Sequence, residues 1–333
     1  MNPTDLRPVE RRALDTDFSG VVSVRVGDEI AFEAAYGFAD REASRLNTPS
    51  TRFGLASGAK TFTALTVMRL IDDRRLDLAT TARSILGTDL PLVDPGVTVE
   101  DLLAHRSGIG DYLDEDLETD TEEWPFPIRA QDLARTADYL PLLGGRPQKF
   151  SPDQKFSYCN GGYVLLALMC ERVTGTDFPD LVHTHVTNRA NLGSTAFLDV
   201  NHLPPDVAIG YLSDGRPNTD NLPRGGSGDG GMSSTAADIA ELWRALFAGS
   251  IVTTDVAAAM VTPRSTEPTT GKRYGLGFWL DPTDSRVSLE GCDAGVSFRS
   301  THDRSRDLTT TVISNSTDGA WPLVRALEAT VAP

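Results

Sequence analysis

Strand-type sequence stands at the two ends of this chain and helix-type sequence between them, and that division limits the folds open to it. Phe18–Asp28 and Glu29–Gly37 are short apolar runs meeting at Gly27-Asp28, which predicts a hairpin. Far downstream, Tyr274–Leu280, Val287–Glu290, Val296–Ser300 and Leu308–Ser314 are again short and rich in β-formers. From Ser57 the pattern turns helical, with Phe62, Leu65, Met68 and Ile71 recurring near a 3.6 period. Residues of about 80–220 mix helices with Pro- and Gly-rich loops. Gly162–Gly175 reads as a buried helix stopped by glycine, and Thr235 as the N-cap of a helix with Asp238 at N3. Trp321–Val331 closes the chain as a helix. The expectation is an α/β (α+β) fold: one antiparallel sheet built from both chain ends, flanked by helices, with an inserted all-helical lobe. The boundaries read as a single domain over 15–330, with a sheet lobe at about 15–60 and 230–333 and a helical lobe at about 61–229.

A formal charge of −16 argues against nucleic acid or anionic membranes as partners. Cys159, Cys170 and Cys292 are too few and too scattered for a disulfide framework or a zinc site. The closest histidine pair, His183-Thr-His185, lacks metal-ligand company, so no cofactor is implied. The polar N-terminus has no apolar core behind it, and no stretch approaches a membrane span, which points to a cytoplasmic protein. The acidic run Asp111–Glu123 lacks the spacing of a calcium loop and reads as a solvated loop.

Four lysines stand against twenty-seven arginines, and one of them, Lys60, lies three residues after Ser57. Arginine keeps its proton in a protein, whereas a desolvated lysine can lose it. At the first turn of a helix, Ser57 and Lys60 would share a face, beside free backbone N–H groups suited to an oxyanion. That is the recipe for an activated nucleophile. Ser-x-x-Lys by itself is a weak pattern, since an N-cap serine and a solvated lysine would look the same. Its company is Tyr158-Cys-Asn160, the only Tyr-x-Asn in the chain. A tyrosine beside a lysine ammonium can have its pKa lowered and relay a proton, and Asn160 could hold Lys60 and donate to substrate.

Ser57-Gly-Ala-Lys60 and Tyr158-Cys-Asn160 together resemble the first two motifs of the serine β-lactamase and penicillin-binding superfamily, in its class C-like branch. Leu102–Tyr112, Gly230–Asp238 and Tyr274–Trp279 resemble flanking segments of the same branch, so the likeness runs from about 15 to 330. The resemblance implies a β-lactamase/transpeptidase-like fold and a serine hydrolase that works through an acyl-enzyme. Ser57 would be the nucleophile, Lys60 and Tyr158 the proton carriers, and Asn160 a substrate contact. The backbone of Cys292, beside Gly291, would complete an oxyanion hole with Ser57. The third motif departs from the family. Its usual Lys or His falls on Leu289 of Leu289-Glu290-Gly291, which weakens any case for substrates with a C-terminal carboxylate. His105 reads as structural, and Cys159 and Cys292 as small buried thiols.

The favoured substrate is a small ester or amide, with weak turnover of a β-lactam. The alternatives are a true β-lactamase or D-amino-acid peptidase, and a non-catalytic binding protein on the same fold. An α/β-hydrolase would need Gly-x-Ser-x-Gly, which does not occur. Oligomeric state is left open by the sequence.

Overall fold

The two-residue turn Gly27-Asp28 joins β1 (Gly20–Val26) to β2 (Glu29–Tyr36), with Gly27 at φ +56°, a state glycine enters without steric strain. The structure, a computed structural model, describes residues 5–117, 121–124, 126–283 and 285–331. Along its other edge β1 pairs with the last strand, Val21 opposite Ile313 and Val24 opposite Thr310, so the chain ends meet in one sheet. The remaining strands of this sheet are β3 (Ser265–Thr266), β4 (Arg273–Tyr274), β5 (Trp279–Leu280), β6 (Arg286–Asp293), β7 (Val296–Asp303) and β8 (Leu308–Ser314). Their order is β2-β1-β8-β7-β6-β5-β4-β3, antiparallel throughout.

Period-two alternation sends the strand side chains to two different cores. Val22, Val24, Leu308 and Val312 pack with Val9 and Ala13 of α1 (Arg7–Asp15) and Leu323, Val324 and Leu327 of α5 (Ala320–Val331). Val21, Phe298 and Ile313 face the other way, into the main core shared with the helical lobe. The first of these helices lies in a charged segment whose sequence gave little sign of it.

Three helices of the main core matter for the site. α2 (Ala59–Asp72) has every residue from Ala59 to Met68 buried, so it is enclosed on all sides instead of amphipathic. α3 (Asn160–Thr174) ends at Gly175 in the left-handed conformation, φ +74°. α4 (Ala236–Phe247) is capped as expected, the Thr235 hydroxyl accepting from Asp238 N at 3.1 Å. The Asp238 carboxylate does not return to the cap, however; it accepts from Ser194 N and Thr195 Oγ1, both at 2.8 Å.

One expected strand is broken. Tyr274–Leu280 divides into β4 and β5 because Gly277 turns the chain at φ +88° against α2. Thr61 Oγ1 donates to Gly277 O at 2.8 Å, and a Cβ at Gly277 would lie 2.3 Å from that of Ala64. Tertiary contact overrides the local β preference there. Among the described residues, no helix is long and apolar enough to cross a membrane.

Candidate active site

Ser57 sits in a 3₁₀ turn, Ala56–Gly58, that leads directly into α2. The turn is pinned from outside: Leu55 N donates to Met232 O at 2.8 Å, and Ala56 is held at φ +46°, a strained state for a residue with a Cβ. One helical turn on, Lys60 is 2% exposed and its Nζ reaches Ser57 Oγ at 2.8 Å. The same Nζ donates to Asn160 Oδ1 at 2.8 Å and to Asp229 O at 2.9 Å. Burial pushes Lys60 below lysine's ordinary value, partly offset by Asp229, Glu115, Asp111 and Asp293. As a neutral amine, Lys60 would keep two donors for Asn160 and Asp229 and turn its lone pair to the Ser57 hydroxyl.

Asn160 is placed by the start of α3. Asp111 accepts from Asn160 N at 2.5 Å and Gly161 N at 2.8 Å, an anion at a helix N-terminus. Cys159 acts as N-cap, its sulfur accepting from Gly162 N at 3.3 Å. The Asn160 carbonyl holds Lys60 as expected. Its amide is already occupied, donating to Leu113 O at 2.9 Å and Glu115 Oε1 at 3.2 Å.

Tyr158 lies between rings, 4.2 Å from His105 and stacked on Trp279 at 6.2 Å, with Lys60 Nζ 5.0 Å from its centroid. Its pKa is not lowered by the lysine. Burial, with Glu115 and Tyr274, pushes it well above the ordinary value, and a hydrogen bond with Ser57 opposes this only in part. Its surroundings therefore favour the phenol over the phenolate. His105 is fully buried, its Nδ1 accepting from Cys159 N at 3.1 Å, which steadies the Tyr158–Asn160 segment. Burial, then Lys60, holds it well below the usual imidazole range.

The third-motif strand is β6. Gly291 packs on the Ser57 turn so closely that a Cβ would lie 2.2 Å from Leu55 O and 2.6 Å from Ser57 N. Leu289 shares its face and is 2% exposed in the main core, so the slot is an apolar one. Glu290 points to the opposite face, paired with Arg299 Nε at 2.6 Å and Lys272 Nζ at 3.5 Å. Arg299 also binds Glu328 at 3.0 Å and lies over Trp321, so its charge belongs to the far side of the sheet. Cys292 is exposed, contrary to the expectation of a buried thiol, with Sγ 3.3 Å from Thr317 O. Although the residue is partly open to solvent, the protein packed around its thiol, with Asp293 and other carboxylates, pushes its pKa up to about 12, which favours the thiol over the thiolate.

Ser57, Asn160 and Cys292 open onto one cavity of about 450 Å³. Sequence reasoning missed several residues around it. Asp229 follows Gly228 and precedes the Gly230-Gly231 pair; its carboxylate accepts from the Tyr112 hydroxyl. Asp111, Glu115 and Glu122 come from the acidic run that reads as solvated. Asp111 is buried, and Glu122 accepts from Ser213 Oγ at 2.6 Å and Thr317 Oγ1 at 2.5 Å. Within that run, residues 118–120 lie outside the described residues. The signal that could have located Asp111 is its place beside Tyr112, at the end of the segment that resembles the family.

An antiparallel sheet from both chain ends, with Ser-x-x-Lys on a buried helix and Tyr-x-Asn facing it, defines a class of serine hydrolases and their penicillin-binding kin. The chain matches the family model Beta-lactamase over residues 7–331 and belongs to that family. It is 26% identical over 297 residues to Penicillin-binding protein 4* of Bacillus subtilis, covering 81% of this chain and 62% of that protein. It is 24% identical over 288 residues to the teichoic acid D-alanine hydrolase of Staphylococcus aureus, covering 81% of this chain and 64% of that protein. The chain thus spans less than two thirds of the length of these two relatives. A penicillin binding protein from Bacillus halodurans superposes with a TM-score of 0.91 at 34% identity, over 96% of this chain and 99% of that one. The family acts on small esters, amides or β-lactams.

Proposed function

We propose that the protein is a serine hydrolase that forms an acyl-enzyme from a small ester or amide. The observation that carries this reading is the triple coordination of Lys60 Nζ by Ser57 Oγ, Asn160 Oδ1 and Asp229 O inside the protein. Ser57 Oγ attacks the carbonyl carbon while Lys60 takes its proton. The C–O or C–N bond to the leaving group then breaks, and the proton passes to that group. Water next attacks the acyl-Ser57 ester, losing a proton to Lys60, which returns it to Ser57 Oγ. Tyr158, in hydrogen-bond contact with Ser57, would hold the nucleophile in place beside Lys60. The Ser57 amide accepts no duty elsewhere among the described residues and lies against Gly291; with the Cys292 amide it would hold the oxyanion.

The apolar slot at Leu289 favours substrates without the carboxylate that a third-motif cation would pair with. Labelling with a fluorophosphonate probe, followed by peptide mapping, tests the proposal. The adduct is expected on Ser57 and absent in Ser57→Ala; equal labelling of both proteins would refute the acyl-enzyme and favour a non-catalytic binding role.

A further inference from the structure

Lys60 and Asp229 are buried ionisable residues of opposite sign that touch without their charged groups meeting. The three partners of Lys60 Nζ are the Ser57 hydroxyl, the Asn160 side-chain carbonyl and the backbone oxygen of Asp229, none of them a carboxylate. The Asp229 carboxylate instead accepts from the Tyr112 hydroxyl. An amine 2.9 Å from the backbone oxygen of a residue would, on Coulomb attraction alone, take that residue's charged oxygens in preference. Something therefore keeps the carboxylate elsewhere.

The backbone of Asp229 is fixed. Ser227 N donates to Gly230 O at 3.0 Å and Gly230 N to Ser227 O at 3.3 Å, closing a tight turn around it. Thr63 Oγ1 of α2 donates to Gly228 O at 2.6 Å, and a Cβ on Gly228 would lie 2.1 Å from Tyr163 O. What can turn is the side chain, and Tyr112 holds it. The Tyr112 ring is itself buried, 5.5 Å from that of Phe126 and 6.0 Å from that of Tyr139. Burial, then the Asp229 charge, pushes the Tyr112 pKa well above its ordinary value, so the hydroxyl keeps the proton it donates. The preceding residue, Asp111, holds the backbone of Asn160. The dipeptide Asp111-Tyr112 thus anchors two of the three residues that meet Lys60 Nζ.

We propose that Tyr112 is a positioning residue: its hydroxyl tethers the Asp229 carboxylate away from Lys60, so that the amine stays directed at Ser57 Oγ instead of closing an ion pair. This deepens, and rests on, the acyl-enzyme reading above. An ion pair would stabilise the ammonium, the form that cannot accept the Ser57 proton. The other ionisable groups facing Lys60 are Asp111 and Glu115 from the segment that carries Tyr112, Asp293 at the end of β6, the rings of Tyr158 and Tyr163, and His105. Around the Asp229 carboxylate stand Tyr139, Asp111 and Asp293. Among the carboxylates, Asp229 acts on Lys60 most strongly, and it is the one that Tyr112 holds.

The pH profile of single-turnover acylation by p-nitrophenyl propionate tests the tether. Rates are counted per Ser57 titrated by a fluorophosphonate, so that unfolded protein does not enter. In Tyr112→Phe the pH at which the rate levels off should rise by about one unit or more, with a roughly tenfold lower rate at neutral pH and little change in half-saturation. Asp229→Asn should level off at a lower pH than wild type, and adding it to Tyr112→Phe should abolish the upward shift. A role in packing alone would lower the rate at every pH and leave the levelling-off point in place. An unmoved point in Tyr112→Phe, an upward shift that survives the added Asp229→Asn, or no downward movement in Asp229→Asn alone would overturn the proposal. Acylation that is absent in wild type, or that persists in Ser57→Ala, would instead overturn the acyl-enzyme reading, so the two failures are told apart.

Discussion

The two walls of the cleft are built on opposite principles. On the helix side, Ser57, Lys60, Asn160 and Asp111 form a closed network in which each polar group has its partner. On the strand side, Asp293 accepts from the next residue's amide, Ala294 N, and has no ion pair among the described residues. A closed network fixes positions and tunes one amine; a buried carboxylate without a counter-charge costs stability.

The largest break should come from the helix wall. Lys60→Arg retains a cation but cannot give a neutral base, so acylation of a neutral ester should fall by about 10³-fold or more in stopped-flow assays. Near-normal acylation would remove Lys60 from the proton transfer. Gly291→Ala acts where the walls touch. Its Cβ would press on Leu55 O and Ser57 N, and these are backbone atoms with little room to yield. We expect kcat/KM for a neutral ester to drop on the order of 10²-fold through a displaced Ser57 turn, with a stability loss of about 1–3 kcal/mol. Unchanged kinetics would mean that the turn is less constrained than its contacts imply.

The smallest effect sharpens the contrast from the other side. Burial raises the Asp293 pKa from an ordinary 3.8 to about 6. Between those values the folded chain holds more protons than the unfolded one, so this group's contribution makes stability fall as pH rises through the window. Above about pH 6 its buried charge is a net penalty that an asparagine lacks. Asp293→Asn should therefore be more stable than wild type at pH 7.5 by about 1–2 kcal/mol in urea unfolding, a figure reduced from the full shift because the carboxylate faces an open cavity. The difference should shrink toward pH 4. Lower stability of the variant at pH 7.5 would show that Asp293 is a structural support.

Much of the fold was legible because its determinants are local. The hairpin at Gly27-Asp28 and the strand Leu308–Ser314 follow from alternation and turn chemistry, and Gly175 marks the end of α3 as a glycine stop should. Tyr274–Leu280 misled because the bend at Gly277 is set by Thr61 and Ala64, far away in sequence. Ser57, Lys60, Tyr158 and Asn160 stood out through their spacing, and the structure brings them together. The acidic residues did not stand out. Asp111 belongs to a run whose composition reads as solvent-facing, and only the position of α3 turns it into a buried acceptor for two amides. The apolar register at Leu289 was visible as a missing cation. That Glu290 and Arg299 face the far side of the sheet required the strand's orientation.

The central claim is that burial prepares Lys60 as a neutral base for Ser57. Its most direct test is the pH dependence of single-turnover acylation with a neutral ester such as p-nitrophenyl propionate. The account predicts a rate that rises tenfold per pH unit and levels off below lysine's ordinary 10.5, with that limb lost in Lys60→Arg. A limb that continues unchanged through 10.5, or the same profile in Lys60→Arg, would contradict it.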